Sequence, residues 1–181
     1  MSSDIREKAI EYLEKGRMAG FDVESLDKIG YFTAPASSRH HLAFKGGLIV
    51  HSMNVVDRML ELKAFENEES CYRVGMLHDV VKCMCYKPVI RSVSPVEVAY
   101  EYVQPPYPGH GVASVMILMD SGIVLYPEEA AAITWHMGAF GLGERDLKEY
   151  GAATRRFPRE IILTHAADHL ASKLEEIRES K

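Results

Sequence analysis

The segment Val74–Cys85 reads VGMLHDVVKCMC and places the adjacent pair His78 and Asp79 in an apolar run, with Lys82 one turn further on. Apolar residues at three- and four-residue intervals predict a single helix over about 67–85. The pair belongs to a set of histidines and aspartates that recur roughly every 30 residues along a chain with helical patterning. The members of this set are His51, His78, Asp79, His110, His136 and Asp168.

The spacing of this set indicates metal binding. Each interval fits one helix and one connection, so successive helices can each bring a ligand to the interior of a bundle, where helical proteins commonly build metal sites. The set contains only imidazoles and carboxylates, which suit iron, manganese, zinc, nickel or cobalt. It lacks the paired thiolates that a closed structural zinc site would use.

Length, charge and cysteine usage limit the class of protein. The 181 residues, 47% of them hydrophobic, predict one domain over 1–181, with a core at about 35–178 and a peripheral helix at 1–20. The net charge of −5 argues against a broad basic surface, so small phosphorylated substrates fit better than nucleic acid. Three cysteines leave an odd thiol, which favours a reducing compartment and hence the cytoplasm. The sequence has no apolar run of about 20 residues, so no membrane association is expected.

Prolines, capping residues and apolar periodicity mark the predicted helices. They place helices at about 4–20, 48–64 and 67–85, a weaker one from about 95, and others from 110, from 127 to 138, and from 158. The segment 21–45 is expected to be irregular.

Two of these helices carry polar residues on an apolar face. His51 shares a helical face with Val55 and Met59, so its ring is expected to point inward. In the last helix, Thr164, Asp168 and Ser172 form a polar stripe among apolar neighbours. A carboxylate in that position needs a partner.

Four longer blocks surround these residues. They read PASSRHHLAFKGGLIVHSMNVV at 35–56, PGHGVASVMIL at 108–118, ITWHMGAFG at 133–141 and PREIILTHAADHLAS at 158–172. Together with His78, Asp79 and Lys82, they make residues 35–175 resemble the HD superfamily of metal-dependent phosphohydrolases. The first block is similar to the opening of the HD domain in YhaM-type 3′→5′ exoribonucleases. PGHG and WHMG look closer to small stand-alone HD proteins of bacteria and their phages.

The resemblance implies an all-α HD-domain helical bundle with about five core helices and additional peripheral ones. It also implies two divalent transition-metal ions, with Mn, Fe, Ni, Co and Zn all open. By position, Asp79 would bridge both ions, and a metal-bridging hydroxide would attack phosphorus. Lys82 would meet a non-bridging phosphate oxygen. The other implied ligands are His51, His78 and Asp168 for one ion and His110 and His136 for the other.

The function predicted on this basis is hydrolysis of a nucleotide or a related small phosphoester or phosphoanhydride. Three alternatives stay open: a mixed-valent di-iron HD-fold oxygenase, a 3′→5′ exonuclease-like activity on short RNA or DNA, and a non-catalytic ligand-binding module. The exonucleases carry an oligonucleotide-binding barrel for which this chain has no room before residue 35, which disfavours RNA. Homo-oligomerisation is also open. Substrate preference is expected to come from segments 21–47 and 86–109.

Several other residues are weaker candidates for the predicted metal site. His165 and His169 flank Asp168, and a structural role is favoured for both. The thiols of Cys83 and Cys85 are expected to be core or surface groups. The acidic tail 173–181 is expected to be a solvated face. His40 and His41 could line the cleft, and a phosphate could be held by Arg39, Lys45 or Arg91.

Overall fold

The computed structural model describes residues 3–17, 22–39, 42–91 and 97–176. These residues are mostly helical, which confirms the predicted class at that level. None of the helices in these ranges is long and apolar enough to cross a bilayer. The elements are α1 (Ser3–Lys15), α2 (Val23–Lys28), α3 (Gly47–Leu62), α4 (Glu68–Leu77), α5 (Lys82–Cys85), β1 (Tyr86–Arg91), β2 (Glu97–Tyr102), α6 (His110–Asp120), α7 (Pro127–Trp135), α8 (Glu144–Arg156), α9 (Pro158–Leu170) and a π-helical turn (Ala171–Glu175).

A two-stranded sheet interrupts the helical architecture. Strands β1 and β2 are antiparallel, in a register that runs from Tyr86 opposite Tyr102 to Arg91 opposite Glu97. The predicted weak helix from about 95 is therefore wrong over 97–102, while residue 95 itself lies outside the described residues. The sequence of β2 explains the difference, because Val98, Tyr100 and Tyr102 alternate along it as strand-forming residues do.

The predicted helix over 67–85 is interrupted at His78 and Asp79. Helix α4 ends at Leu77, and residues 78–81 form a tighter turn before α5 begins. Within this turn the backbone N–H of Lys82 donates to the carbonyl of Asp79 at 2.9 Å, three residues back. Three residues per turn place residues i and i+3 directly above one another. The break therefore brings Lys82 over Asp79.

The five helices that carry the predicted ligands also build the core. Helix α3 packs on α4 and α9, and α7 packs on α6, α9 and α4. Fully buried Val55, Leu77, Leu118 and Ile133 contribute from four of these helices, and Ala167 contributes from α9. The five helices thus share one hydrophobic core, and their polar residues meet at its edge.

The remaining helices lie around this core. Helix α1 packs on α4 and α3, and its residues Ala9 and Leu13 are buried. The segment expected to be irregular contains the short helix α2, which Asp22 caps by accepting from the backbone N–H groups of Glu24 and Ser25. Helix α8 was not predicted from the sequence. It packs on α9 and buries none of its residues.

Gly111 is required for the close approach of α6 to α7. A Cβ atom there would overlap the carbonyl oxygens of Ile133 and Thr134. We expect Gly111→Ala to lower the free energy of unfolding by about 1–3 kcal/mol or more, because backbone atoms cannot move aside cheaply. Urea denaturation followed by circular dichroism measures this loss.

Gly151→Ala in α8 is the matched control. A Cβ at Gly151 meets only the end of the Arg155 side chain at 3.6 Å, an ordinary contact. Alanine should therefore raise the stability by up to about 1 kcal/mol through its better helix propensity. Equal destabilisation by both substitutions would contradict the packing argument for Gly111.

Candidate metal centre

The six predicted ligand side chains meet around the carboxylate of Asp79, and its two oxygens face different groups. Oδ1 lies 2.5 Å from Nε2 of His110 and 3.3 Å from Nε2 of His136. These two imidazoles come from the first residue of α6 and from the residue that follows α7. One oxygen of Asp79 therefore faces the pair that the resemblance to the HD superfamily implies for a second ion.

The other oxygen, Oδ2, faces the remaining ligand candidates. It lies 3.4 Å from Nε2 of His78 and 3.6 Å from Nε2 of His51. Oδ1 of Asp168 is 3.2 Å from the same His51 nitrogen. The Lys82 ammonium also contacts Oδ2, at 2.6 Å. All six ligand candidates and Lys82 thus lie together, although they span more than a hundred residues of sequence.

Helix ends and one tight turn place these side chains. His51 is the fifth residue of α3, which begins at Gly47 after the N-cap residue Gly46. Gly46 has a φ of 88°, which glycine adopts without strain, and a Cβ at Gly47 would overlap the carbonyl oxygen of Leu42. The paired glycines therefore permit the tight entry into α3 that brings His51 into the centre.

Backbone carbonyls fix the tautomers of two of the histidines. Nδ1–H of His78 donates to the carbonyl of Gly75 at 2.9 Å, and Nδ1–H of His136 donates to that of Ile133 at 2.7 Å. A carbonyl oxygen can only accept, so in a neutral ring the lone pair must be on Nε2. Both Nε2 atoms are buried, and neither makes a hydrogen bond to any described residue. Imidazoles oriented in this way are typical metal ligands.

The charges in the centre favour an anionic carboxylate. Burial alone would raise the pKa of Asp79, but the Lys82 ammonium and the imidazoles of His78 and His110 hold it well below its usual range. Burial likewise would raise the pKa of Asp168, and the contact with His51 lowers it instead. Anionic oxygens next to imidazole nitrogens form a donor set that divalent transition metals accept.

His51 carries a proton that a metal ion would have to displace. Burial lowers its pKa, yet the hydrogen bonds to Asp168 and Glu176 outweigh burial and raise the pKa to about 9. Metal ligands must be deprotonated at the coordinating atom, so metal binding at His51 would release this proton.

Glu176 is a buried partner of His51 that the sequence prediction missed. Nδ1–H of His51 donates to Oε1 of Glu176 at 2.8 Å, and the Asn54 side chain donates to the same oxygen at 3.3 Å. The prediction of a solvated tail is wrong at this residue, because Glu176 is fully buried. Residues 177–181 of that tail lie outside the described residues. The sequence contains one indication of this buried position. Glu176 follows Asp168 and Ser172 at the same four-residue spacing and so lies on the same polar stripe.

We expect Glu176→Ala to weaken metal binding by about 10–100-fold, because it removes the acceptor that orients His51. Competition against a fluorescent chelator measures the affinity. Glu176→Gln keeps an acceptor without the charge and should give an intermediate affinity. Glu14→Gln on the exposed side of α1 is the control and should leave the affinity unchanged. Wild-type affinity in the folded Glu176→Ala variant would contradict this role.

The weaker candidates have other places in the structure. Nδ1–H of His165 donates to the carbonyl of His136 at 2.7 Å, which is a structural role, and the ring of His169 packs against it. Burial raises the pKa of the Cys85 thiol to about 11, as expected for an inert core group. Arg39 is exposed, while His40 and His41 lie outside the described residues.

Three groups of these side chains could hold a metal ion. In each group the ligand atoms lie within 4.8 Å of one another. The groups are His51, His78 and Asp79; His78, His136 and Asp168; and Asp79, His110 and His136. In comparisons with known proteins, no family model, curated protein or solved structure matches the chain. The geometry defines a buried histidine and aspartate cluster that could hold a metal ion.

Proposed function

We propose that the protein is a metal-dependent phosphohydrolase of the HD type that acts on a nucleotide or a related small phosphoester or phosphoanhydride. The observation that carries the proposal is the arrangement around Asp79, whose two oxygens face separate sets of imidazoles. A carboxylate in that position fits the bridging role that the resemblance to the HD superfamily implies. The net charge of −5 supports a small substrate over nucleic acid.

Two divalent ions would be held by the six side chains. We assign His51, His78 and Asp168 to one ion and His110 and His136 to the other, with Asp79 shared. When bound, such ions lower the pKa of a coordinated water and supply positive charge near the phosphoryl oxygens. Imidazole and carboxylate donors accept Mn, Fe, Ni, Co or Zn.

The protein's own residues would orient the ligands and bind the phosphate. The backbone carbonyls of Gly75 and Ile133 and the carboxylate of Glu176 fix three imidazole rings before substrate arrives. Burial lowers the pKa of Lys82, but Asp79 outweighs it and raises that pKa, so Lys82 is cationic. From that position Lys82 would bind a non-bridging phosphate oxygen and counter its charge.

The test is turnover with identified products on a panel of nucleotides, dinucleoside polyphosphates and short RNA. Manganese-loaded wild type is compared with Asp79→Ala. Release of phosphate or a nucleotide by the wild type alone is the expected result. Shortening of RNA from its 3′ end, without turnover of small substrates, would instead indicate the exonuclease alternative.

The absence of turnover on the whole panel would overturn the proposal. Iron-loaded protein would then be tested for a mixed-valent spectroscopic signal and for oxygen uptake with candidate substrates. Those two results together would establish the di-iron oxygenase alternative. Ligand binding that survives Asp79→Ala, without any turnover by the wild type, would indicate a binding module.

A further inference from the structure

A cavity of about 450 Å³ lies between the segment before α3 and the β-hairpin. One wall comes from residues within 30–35 and 43–45 and includes Phe44 and Lys45, and the other comes from the hairpin and includes Tyr86, Val98 and Tyr100. Its size is within the range of pockets that bind small molecules. These walls come from the two segments expected to set substrate preference.

Two residues that line the cavity lie close to Lys82 in the chain. Cys83 lines it and directly follows Lys82, whose ammonium contacts Asp79. Tyr86 also lines the cavity, and the one-turn helix α5 connects it to Lys82. One helical turn is about 5.4 Å long, so Tyr86 on the cavity wall follows Lys82 by about one turn.

The charged groups of the centre act on the cavity wall. Burial raises the pKa of the Tyr86 phenol, and both the Lys82 ammonium and the Asp79 carboxylate also affect that pKa. The segment from Lys82 to Tyr86 connects the candidate centre to the cavity wall.

The chemistry of the walls favours a flat aromatic ligand with an anionic end. Phe44, Tyr86 and Tyr100 contribute aromatic side chains, and Val98 contributes an apolar one. The Phe44 side chain is 49% exposed, so part of its ring is available to a ligand. Aromatic side chains stack on nucleobases of any sequence, because every base has a π face. Lys45 adds a cation on the same wall.

We propose that this cavity binds the nucleobase of a nucleotide whose phosphate reaches Lys82 and the candidate metal centre. The inference rests on the proposed function for the position of the phosphate. The base-binding part stands on the cavity alone. It identifies Phe44 and Tyr100 as specificity residues that touch the base and take no part in the reaction at phosphorus.

Binding of nucleosides to the metal-free protein tests the cavity without any turnover. Adenosine, guanosine, cytidine and uridine are titrated while the backbone amide signals are followed by NMR. At least one nucleoside should shift signals from residues 42–45 and 97–102. Phe44→Ala and Tyr100→Ala should each weaken that binding about tenfold or more, because each removes a stacking surface. Ile162→Ala is the control, since Ile162 is 48% exposed on α9 and does not line the cavity.

Kinetics with the metal-loaded protein give a second readout. The two cavity variants should raise the KM for the nucleotide about tenfold with little change in kcat. Turnover of ribose 5-phosphate, which has no base, should be the same in the wild type and the variants. A uniform loss of kcat on both substrates would indicate a general disturbance and overturn the base-binding role.

The outcomes separate failure of this inference from failure of the proposed function. Phosphate release from ribose 5-phosphate, with no nucleoside binding at the cavity, would overturn the inference and leave the hydrolase function intact. Nucleoside binding that both cavity variants weaken, with no turnover of any phosphoester, would support the cavity assignment and overturn the hydrolase function. Nucleoside binding that is insensitive to both substitutions would also overturn the inference.

Discussion

Replacement of Asp79 by asparagine is expected to remove metal binding and turnover together. The Asp79 carboxylate contacts four imidazoles and Lys82, so it is the common anion of the centre. Asparagine keeps the shape but offers a neutral amide, which is a much poorer ligand for a divalent ion. After reloading and removal of free ions, the metal content measured by mass spectrometry should fall from the wild-type level to background. Phosphate release should fall with it.

Asp146→Asn is the matched control, because Asp146 lies exposed in the first turn of α8. It should keep the metal content and turnover of the wild type. Circular dichroism of Asp79→Asn checks that the variant has folded, since Lys82 loses its buried partner. A folded Asp79→Asn protein with full metal content would show that Asp79 is not a ligand.

A large loss of stability is expected when a buried ion pair outside the candidate centre is broken. Nε of Arg73 lies 2.9 Å from Oε1 of Glu129, and both side chains are buried. Arg73 also donates to the carbonyl of Gly16, and Glu129 accepts from the backbone N–H of Tyr126 at 2.9 Å. The pair therefore joins α4 to α7 and to the end of α1.

We expect Glu129→Ala to lower the free energy of unfolding by about 3–5 kcal/mol, because it leaves the Arg73 charge buried without its carboxylate. Denaturant unfolding followed by circular dichroism measures the loss. The double variant Arg73→Met with Glu129→Leu should recover much of the stability, since it removes both charges and keeps apolar volume.

The control for this pair is Glu149→Ala in α8. Glu149 pairs with Arg145 at 3.3 Å, but these side chains are 57% and 90% exposed. Removal of an exposed pair should change the stability by less than about 0.5 kcal/mol. Similar losses from the buried and the exposed pair would contradict the argument from burial.

The sequence predicted the parts of the centre that depend on local signals. The inward face of His51 followed from helical periodicity, and Pro127 and Pro158 correctly marked the starts of α7 and α9. His110 was expected at the start of a helix and is the first residue of α6. Each of these features can be predicted from a few residues that are neighbours in the sequence.

Other parts of the centre depend on packing between distant segments. The break after Leu77 has no glycine or proline to mark it, and α4 ends where His78 and Asp79 meet partners from other helices. Glu176 extends the polar stripe of α9, but only the contact with His51 distinguishes it from the charged residues around it. Pro95 favours the start of a helix, and for that reason the sequence prediction lacks the hairpin. In the structure, the alternation of Val98, Tyr100 and Tyr102 in β2 outweighs this local signal.

The order of the donors along the chain has a consequence for biosynthesis. Asp168, a proposed ligand, and Glu176, which accepts from His51, follow the other residues of the cluster in sequence. A ribosome delivers the amino-terminal helices first. On the proposed assignment, a nascent chain that has not yet released α9 would present an incomplete set of ligands. Complete metal binding would then follow the synthesis of the last helix.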